Sequence, residues 1–377
     1  MNNLTKNIHL EGDRSIWIVV FFLCIFSVLV VYSAEGIEKI FDHFLKLSIG
    51  LGCMYVVHKV KFKYFSRLGI LGFWFSIVLL ILVMIIGVSL NGASRWLSIS
   101  NISFQPSDIA KLSILLFVAR QLSKQRNFLH DFKGIIWYVL IPILITCILI
   151  LPSNFSTAGL VCVNGLALMF IARIKLKYIL GIIGIALFGV LIIYSTSKYV
   201  PVMKNILPRS TTWVNRIDGF FMPSDNHNLD GGYQSDQAKV AIYNGGMFGV
   251  GPGKSVQRYF LYASSSDFIF AIMVEEYGIF FGAILPLLLY LILFFRAVII
   301  ANKSESFFGG LIASGLAFSL VFQAMINMAV SVGILPVTGQ TLPLISMGGT
   351  SILFTCITIG IILSVSRDSS DRDYGKA

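Results

Sequence analysis

SSSDFIFAIMVEEYGIFFG, Ser264 to Gly282, is apolar enough to enter a bilayer, yet it opens on Asp267 and carries Glu275 and Glu276 inside it. A carboxylate among lipid tails costs at least a few kcal/mol. As one helix, the run places the two glutamates about 12 to 14 Å beyond Asp267 by the helical rise. They must pair with a buried cation, for which Lys111 is a candidate, or line water, and either outcome implies a polar interior. Asp267, preceded by three serines, also suits a helix N-cap, and capping alone accounts for an acid there.

The rest of the chain is consistent with a membrane solvent. Of its 377 residues 56% are hydrophobic and 12% charged, and the mean hydropathy is +0.83, too apolar for a soluble domain of this length. Ten apolar runs are expected, at about 15–34, 43–60, 68–88, 107–122, 135–152, 156–172, 179–196, 267–295, 306–330 and 345–365. Runs of this length predict helices rather than barrel strands, so the fold class is all-α, a single polytopic membrane domain. The first run is long for a signal-peptide core, and despite VYSA at its end it reads as a retained helix. Alternate connections hold KVKFKYFSR, RQLSKQRNFLHDFK, RIKLK and RAVIIANK, which places both termini in the cytoplasm. The long connection between runs 7 and 8, about 198–266, then faces outward; its basic residues do not break the rule, because long loops translocate largely regardless of charge. Its length and its Trp213, glycines and charges predict a folded cap.

The net charge of +11 is scattered between apolar runs, which argues against a nucleic-acid stripe. Cys24, Cys53, Cys147, Cys162 and Cys356 all fall inside apolar spans, so no disulfide framework or CxxC metal pair is expected. The five histidines are dispersed.

Further polar stretches stand out. In NGASRWLSISNISFQPSDIAKLS, Asn91 to Ser113, Pro106 and Ser107 suit a helix start with Ser107 as cap. Asp108 and Lys111 share a helical face and can pair, and Arg95 with Trp96 reads equally as an interfacial anchor. NGGMFGVGPGKSVQRYFLYASSSDF, Asn244 to Phe268, nearly imitates a phosphate loop, but Phe248 stands where that motif needs glycine and no buried strand precedes it. Its glycines can still present amides to a phosphate, with Lys254 or Arg258 adding charge; tight turns are the plain alternative. In INMAVSVGILPVTGQTLPLISMGGTS, Ile326 to Ser351, Pro336, Gly339, Pro343 and the Gly348-Gly349 pair break helical structure. Such breaks are tolerated at membrane depth only where protein or a cavity covers them, which predicts a re-entrant segment.

GASRW, FQPSDIAK, GGMFGVGPGKS, SDFIFAIMVEEYG and GILPVTGQTLPLISMGG, in this order on a ten-span plan, resemble the SEDS family of polytopic membrane proteins, which includes FtsW, RodA and SpoVE. The wording GVGPGKSVQRYFL is most like the FtsW and SpoVE branch. The resemblance covers almost the whole chain. It implies peptidoglycan glycosyltransferase activity, the polymerisation of lipid II on the outer leaflet of the bacterial cytoplasmic membrane, at the division septum. It implies Asp267 as the essential acid and general base, and substrate contacts at Gln105, Ser107, Asp108 and Lys111, with Asp108 replacing the usual Glu. Arg95, Trp96, Arg216, Lys254, Ser255, Arg258, Glu275, Glu276, Ser346, Gly348 and Gly349 complete the candidate substrate-binding set. A divalent cation, Mg or Mn, is a candidate helper for the diphosphate leaving group, with metal ligands undetermined. A class B penicillin-binding protein and other division proteins are the implied partners. The chain departs from the family where Tyr262, Ala263, Ser264 and Ser265 precede the acid, where Asn154 replaces an acid, and where Met347 replaces a Tyr. A lipid II flippase or a non-catalytic septal scaffold are the alternatives.

Overall fold

A computed structural model of the chain describes residues 11–90, 93–99, 102–125, 131–199, 209–221, 230–262 and 264–375. Ala263, parts of the basic connection 120–133, parts of the 198–266 loop and the last two residues of the polar tail lie outside that range. The main helices are α1 (Arg14–Glu35), α2 (Ile37–Lys59), α3 (Phe65–Ile86), α4 (Pro106–Lys124), α5 (Phe132–Ile150), α6 (Phe155–Ile171), α7 (Leu176–Tyr199), α8 (Ser210–Phe221), α9 (Asp230–Gly245), α10 (Ile269–Gly278), α11 (Leu285–Lys303), α12 (Phe307–Ser331) and α13 (Gly349–Gly375). Eight described segments are long and apolar enough to cross a membrane: α1, α2, α3, α5, α7, Ile269–Lys303, α12 and Gly349–Ser369. The other two expected spans are α4, which is more polar, and α6, which is shorter.

Local chemistry sets the helix ends. Asp13 caps α1, its Oδ1 accepting from the amides of Ser15 (2.9 Å) and Ile16 (3.3 Å). Gly36, at φ 80°, turns α1 directly into α2, a conformation that favours glycine. Where helices touch, small residues let them approach: a β-carbon on Gly50 would lie 2.9 Å from Cys356 Sγ, and one on Gly165 would lie 2.5 Å from Ile143. The core centres on α12 and α13, each with 67% of its apolar window buried. α7 has only 6% buried and so offers nearly its whole surface to surrounding apolar medium.

The all-α class holds, with one addition. The connection expected as a loop after α3 forms a small antiparallel sheet, β1 (Val88–Leu90), β2 (Ala93–Ile99) and β3 (Ile102–Phe104), in the order β1-β2-β3. Val88 pairs with Trp96 and Leu97 with Phe104.

The eighth apolar run is not one uniform helix. α10 ends at Gly278 (φ 72°), a π-helical turn covers Ile279–Ile284, and α11 follows. Every residue from Ile269 to Glu276 is buried, whereas Ile279, Phe280 and Phe281 open an exposed apolar stripe. Protein therefore surrounds the first half, and lipid is met only beyond the break. Segment 245–251 fills that break: the amides of Val250 and Gly251 bond the carbonyls of Glu275 (2.9 Å) and Glu276 (3.0 Å), and Ile279 N bonds Gly246 O (3.0 Å).

Between α12 and α13 the backbone is irregular, as expected for a re-entrant segment. Leu342, Leu344 and Ile345 are buried there. Helix side chains satisfy its carbonyls: Asn327 Nδ2 donates to Gln340 O (2.7 Å), Gln323 Nε2 to Thr341 O (2.8 Å), Ser27 Oγ to Ile345 O (3.0 Å) and the Tyr290 hydroxyl to Pro343 O.

Candidate active site

Asp267 sits in a short stretch of turns that is gripped at three successive carbonyls. Met347 N donates to Ser265 O (2.8 Å), Ser346 Oγ to Ser266 O (2.6 Å) and Asn327 Nδ2 to Asp267 O (2.7 Å). The backbone is thus fixed by α12 and the re-entrant segment, while the carboxylate is left available. Among the described residues it receives no hydrogen bond, and the N-cap position of α10 belongs to Phe268, with no side-chain cap bond. The capping explanation for this acid fails. Gly339 lies against it: a β-carbon there would be 3.3 Å from Asp267 Oδ2. Protein surrounds the group on most sides while part of its surface stays accessible. Burial raises its pKa to about 6, and the nearby Arg216 guanidinium opposes that rise.

Arg216, on α8, donates Nη1 to Val337 O (3.1 Å). Arg95 Nε and Arg209 Nη1 both donate to Ser153 O, each at 2.8 Å. Arg209 was not among the expected residues; no sequence motif distinguishes it from the other cations of the long loop. Burial and the charge of Arg216 lower its pKa. Trp96 is half-buried beside Arg95 on β2. Asn154 caps α6, its Oδ1 accepting from Thr157 N (3.2 Å), and Gln340 Nε2 donates to Thr157 Oγ1 (3.1 Å). That bond joins the arginine group to the re-entrant segment.

Asp108 and Lys111 do pair, at 3.0 Å. Lys111 Nζ also reaches Gln323 Oε1 (3.4 Å), and Thr350 Oγ1 donates to Asp108 Oδ2 (2.9 Å). Asp108, Lys111 and Gln323, with Ser319, Ser351, Thr355 and Thr358, line a cavity of about 40 Å³. Ser107 is not the cap: Gln105 holds the N-cap position and its Nε2 donates to Ser107 Oγ (2.6 Å). Ser319, Gln323, Asn327 and Ser331 recur every four residues along α12, hence on one face. Within this stripe Gln323 and Asn327 connect the Lys111 cavity to the Asp267 backbone.

Glu275 and Glu276 are placed otherwise than expected. Among the described residues they do not pair with Lys111; both carboxylates accept from the glycine-rich segment. Glu275 Oε1 accepts from Val256 N (3.2 Å) and its Oε2 from Ser255 Oγ and Gln257 N (3.3 Å). Glu276 Oε1 accepts from Ser33 Oγ and Ser255 N (3.4 Å). The amides proposed for a phosphate are therefore partly spent on carboxylates. Arg258 donates to Ser33 O (2.5 Å) and to the Tyr259 hydroxyl (2.7 Å), and Lys254 is exposed. Ser346 belongs to the Asp267 grip, Gly348 precedes α13 and Gly349 opens it. Among the described residues no three His, Cys, Asp or Glu converge as a metal group.

A polytopic helical bundle with a re-entrant segment, one available acid and a group of arginines at the same end defines the class: a membrane protein with a polar site between its helices. The chain belongs to the FtsW/RodA/SpoVE family, whose model, described as cell cycle protein, matches residues 13–371. It is 31% identical to the probable peptidoglycan glycosyltransferase FtsW of Coxiella burnetii, over 87% of this chain and 86% of that one. The corresponding protein of Geobacter sp. (strain M18) is 32% identical over 94% and 97%. Stage V sporulation protein E of Bacillus subtilis is 30% identical over 95% and 97%. In fold the chain matches a chain of a peptidoglycan synthase complex, with a TM-score of 0.79 at 24% identity, over 96% of this chain and 99% of that one. The rod shape determining protein RodA of Thermus thermophilus gives 0.69 at 24% identity, over 95% and 98%.

Proposed function

We propose that this chain is a peptidoglycan glycosyltransferase that polymerises lipid II, with Asp267 as general base. The carrying observation is a carboxylate with no hydrogen-bond partner among the described residues, held by three backbone grips beside an arginine. The names of the FtsW relatives support the activity. In the step we envisage, the acceptor sugar hydroxyl gives its proton to Asp267 as its oxygen bonds the anomeric carbon of the donor. The bond from that carbon to the diphosphate breaks, and the electron pair leaves with the diphosphate. With a pKa near 6, Asp267 is mostly ionised at neutral pH yet basic enough to take a proton.

The positive connections support cytoplasmic termini, which turn the Asp267 end outward in the cytoplasmic membrane. Work at the division septum with a class B penicillin-binding protein follows from the likeness to FtsW proteins, as does contact with other division proteins. The test uses the purified chain, alone and with that transpeptidase, on fluorescent lipid II, with a gel for polymer. Asp267→Asn is expected to fold and insert but make no glycan. Full polymer from that variant refutes the base. Wild-type protein that relocates lipid II without forming polymer under either condition refutes the enzyme and leaves the flippase reading.

A further inference from the structure

The backbone grips on the Asp267 turn come from α12 and the re-entrant segment, and α1 and α2 add ties of their own. Ser27, on α1, donates to Ile345 O (3.0 Å) and lies 2.7 Å from Nε2 of His43, on α2. All three residues are 0% exposed. Proton count fixes the direction of this chain. A carbonyl only accepts, so the single hydroxyl proton of Ser27 goes to Ile345, and His43 must carry its proton on Nε2 and donate it to Ser27 Oγ. His43 Nδ1 is then the bare nitrogen, and among the described residues it has no partner. An ionisable side chain inside a membrane-spanning helix is costly and marks function by default. Here the ring spends its one proton on the segment that grips the acid.

Ile345 directly precedes that grip. Ser346 Oγ accepts from Leu342 N (2.7 Å) and donates to Ser266 O (2.6 Å), and Met347 N donates to Ser265 O (2.8 Å). The same pair of helices also holds Ser265 itself. Glu35, the last residue of α1, accepts on Oε1 from Ser265 Oγ (2.5 Å), and Lys39, in the first turn of α2, holds its Oε2. Gly36 joins the two helices, so both ties belong to one helical hairpin.

We infer that the α1–α2 hairpin sets the position of Asp267, with Ser27 and His43 as positioning residues acting through Ile345, and Glu35 as one acting through Ser265. They reach the acid through the backbone on either side of the grip, not through its carboxylate. This rests on the glycosyltransferase reading and names residues that order its base.

The test uses the full chain in nanodiscs, at equal amounts of folded protein, with two readouts: kcat and KM on fluorescent lipid II, and hydrogen exchange across residues 264–268 and 342–347. Ser27→Ala removes the link, and His43→Phe keeps the ring's volume without its N–H. Each is expected to lower kcat by about tenfold, at a KM within about twofold of wild type, since a displaced reacting group slows turnover. Each should also speed exchange in both segments. The double variant should be no worse than Ser27→Ala, because the two residues act through one bond chain. His43→Gln, whose amide can donate to the same hydroxyl, should recover most of kcat. Glu35→Ala should lower kcat severalfold and multiply with Ser27→Ala, as the two hold different segments. Wild-type kcat in both Ser27→Ala and His43→Phe overturns the assignment, whether or not exchange quickens, and so does a double variant whose losses multiply. Wild-type protein that makes no polymer refutes the glycosyltransferase reading instead. The exchange arm then decides the hairpin's hold on the acid: unchanged rates across 264–268 in both variants overturn it, and quickened rates that His43→Gln reverses sustain it.

Discussion

Asn327→Ala removes a single buried amide that holds two segments together. Asn327 Nδ2 donates to the carbonyls of Asp267 and Gln340, both at 2.7 Å, and the residue is 1% exposed. Each neutral bond contributes about 1 kcal/mol net, and a buried carbonyl left without a donor costs about 1–3 kcal/mol. The variant should therefore lose about 2–6 kcal/mol of local stability, less where water enters the space. Two grips on the neighbouring carbonyls remain, so the segment should stay folded while Asp267 gains freedom. A displacement on the order of 1 Å at a reacting group can cost about a hundredfold in rate. Polymerisation of fluorescent lipid II by Asn327→Ala is thus expected to slow by about that factor, with lipid II binding changed little. Ser331→Ala is the matched control: it lies one turn further along the same face, and its hydroxyl bonds only within α12, to Asn327 O (3.0 Å). Equal amounts of folded protein polymerising at the wild-type rate in Asn327→Ala would show that the grip does not position the acid.

Acid–base behaviour gives a second expectation. The pH profile of polymerisation should rise through a limb near pH 6, since the base must be unprotonated. Arg216→Ala removes the charge that holds the Asp267 pKa down, so its limb should move to higher pH; a limb that does not shift would separate Arg216 from this group. The same raised pKa has a stability side: the folded state favours protonated Asp267, so stability is lost as pH climbs from about 4 towards 6. Asp267→Asn should then melt higher than wild type at pH 7, with the difference vanishing at low pH. Glycine packing supplies a third. A β-carbon on Gly249 would lie 2.1 Å from Glu276 O at φ 82°, so Gly249→Ala should sharply reduce the monodisperse fraction in size-exclusion chromatography. Gly253→Ala, at φ 76° with open space around it, should cost only about 1 kcal/mol in a thermal melt.

Much of the architecture was legible because apolar run length and loop charge speak directly to membrane insertion. The sheet after α3 was less so, although Asn91-Gly92 between VSL and ASRWLSI is a strong hairpin signal; β1 and β3, of three residues each, are too short to display a period of two. Asp108 and Lys111 were readable as a pair, since both lie on one helix three residues apart. Glu275 and Glu276 were not, because their ligands are backbone amides, which no sequence pattern advertises. The grip on Asp267 was hidden for a similar reason: Asn327, Ser346 and Met347 reach it from at least 60 residues away. Arg209 could be found only once folding set it beside Ser153.

The wedge of backbone at Gly278 bears on how the chain is made. The amides and hydroxyl that receive Glu275 and Glu276 lie some 18 to 21 residues earlier, so they leave the ribosome before the acids they neutralise. The two glutamates can thus enter the translocation machinery already shielded within a local hairpin, independent of α1 and its distant Ser33. Disrupting that hairpin is a lesion of biogenesis: it is read in the amount of correctly threaded protein, not in turnover per molecule.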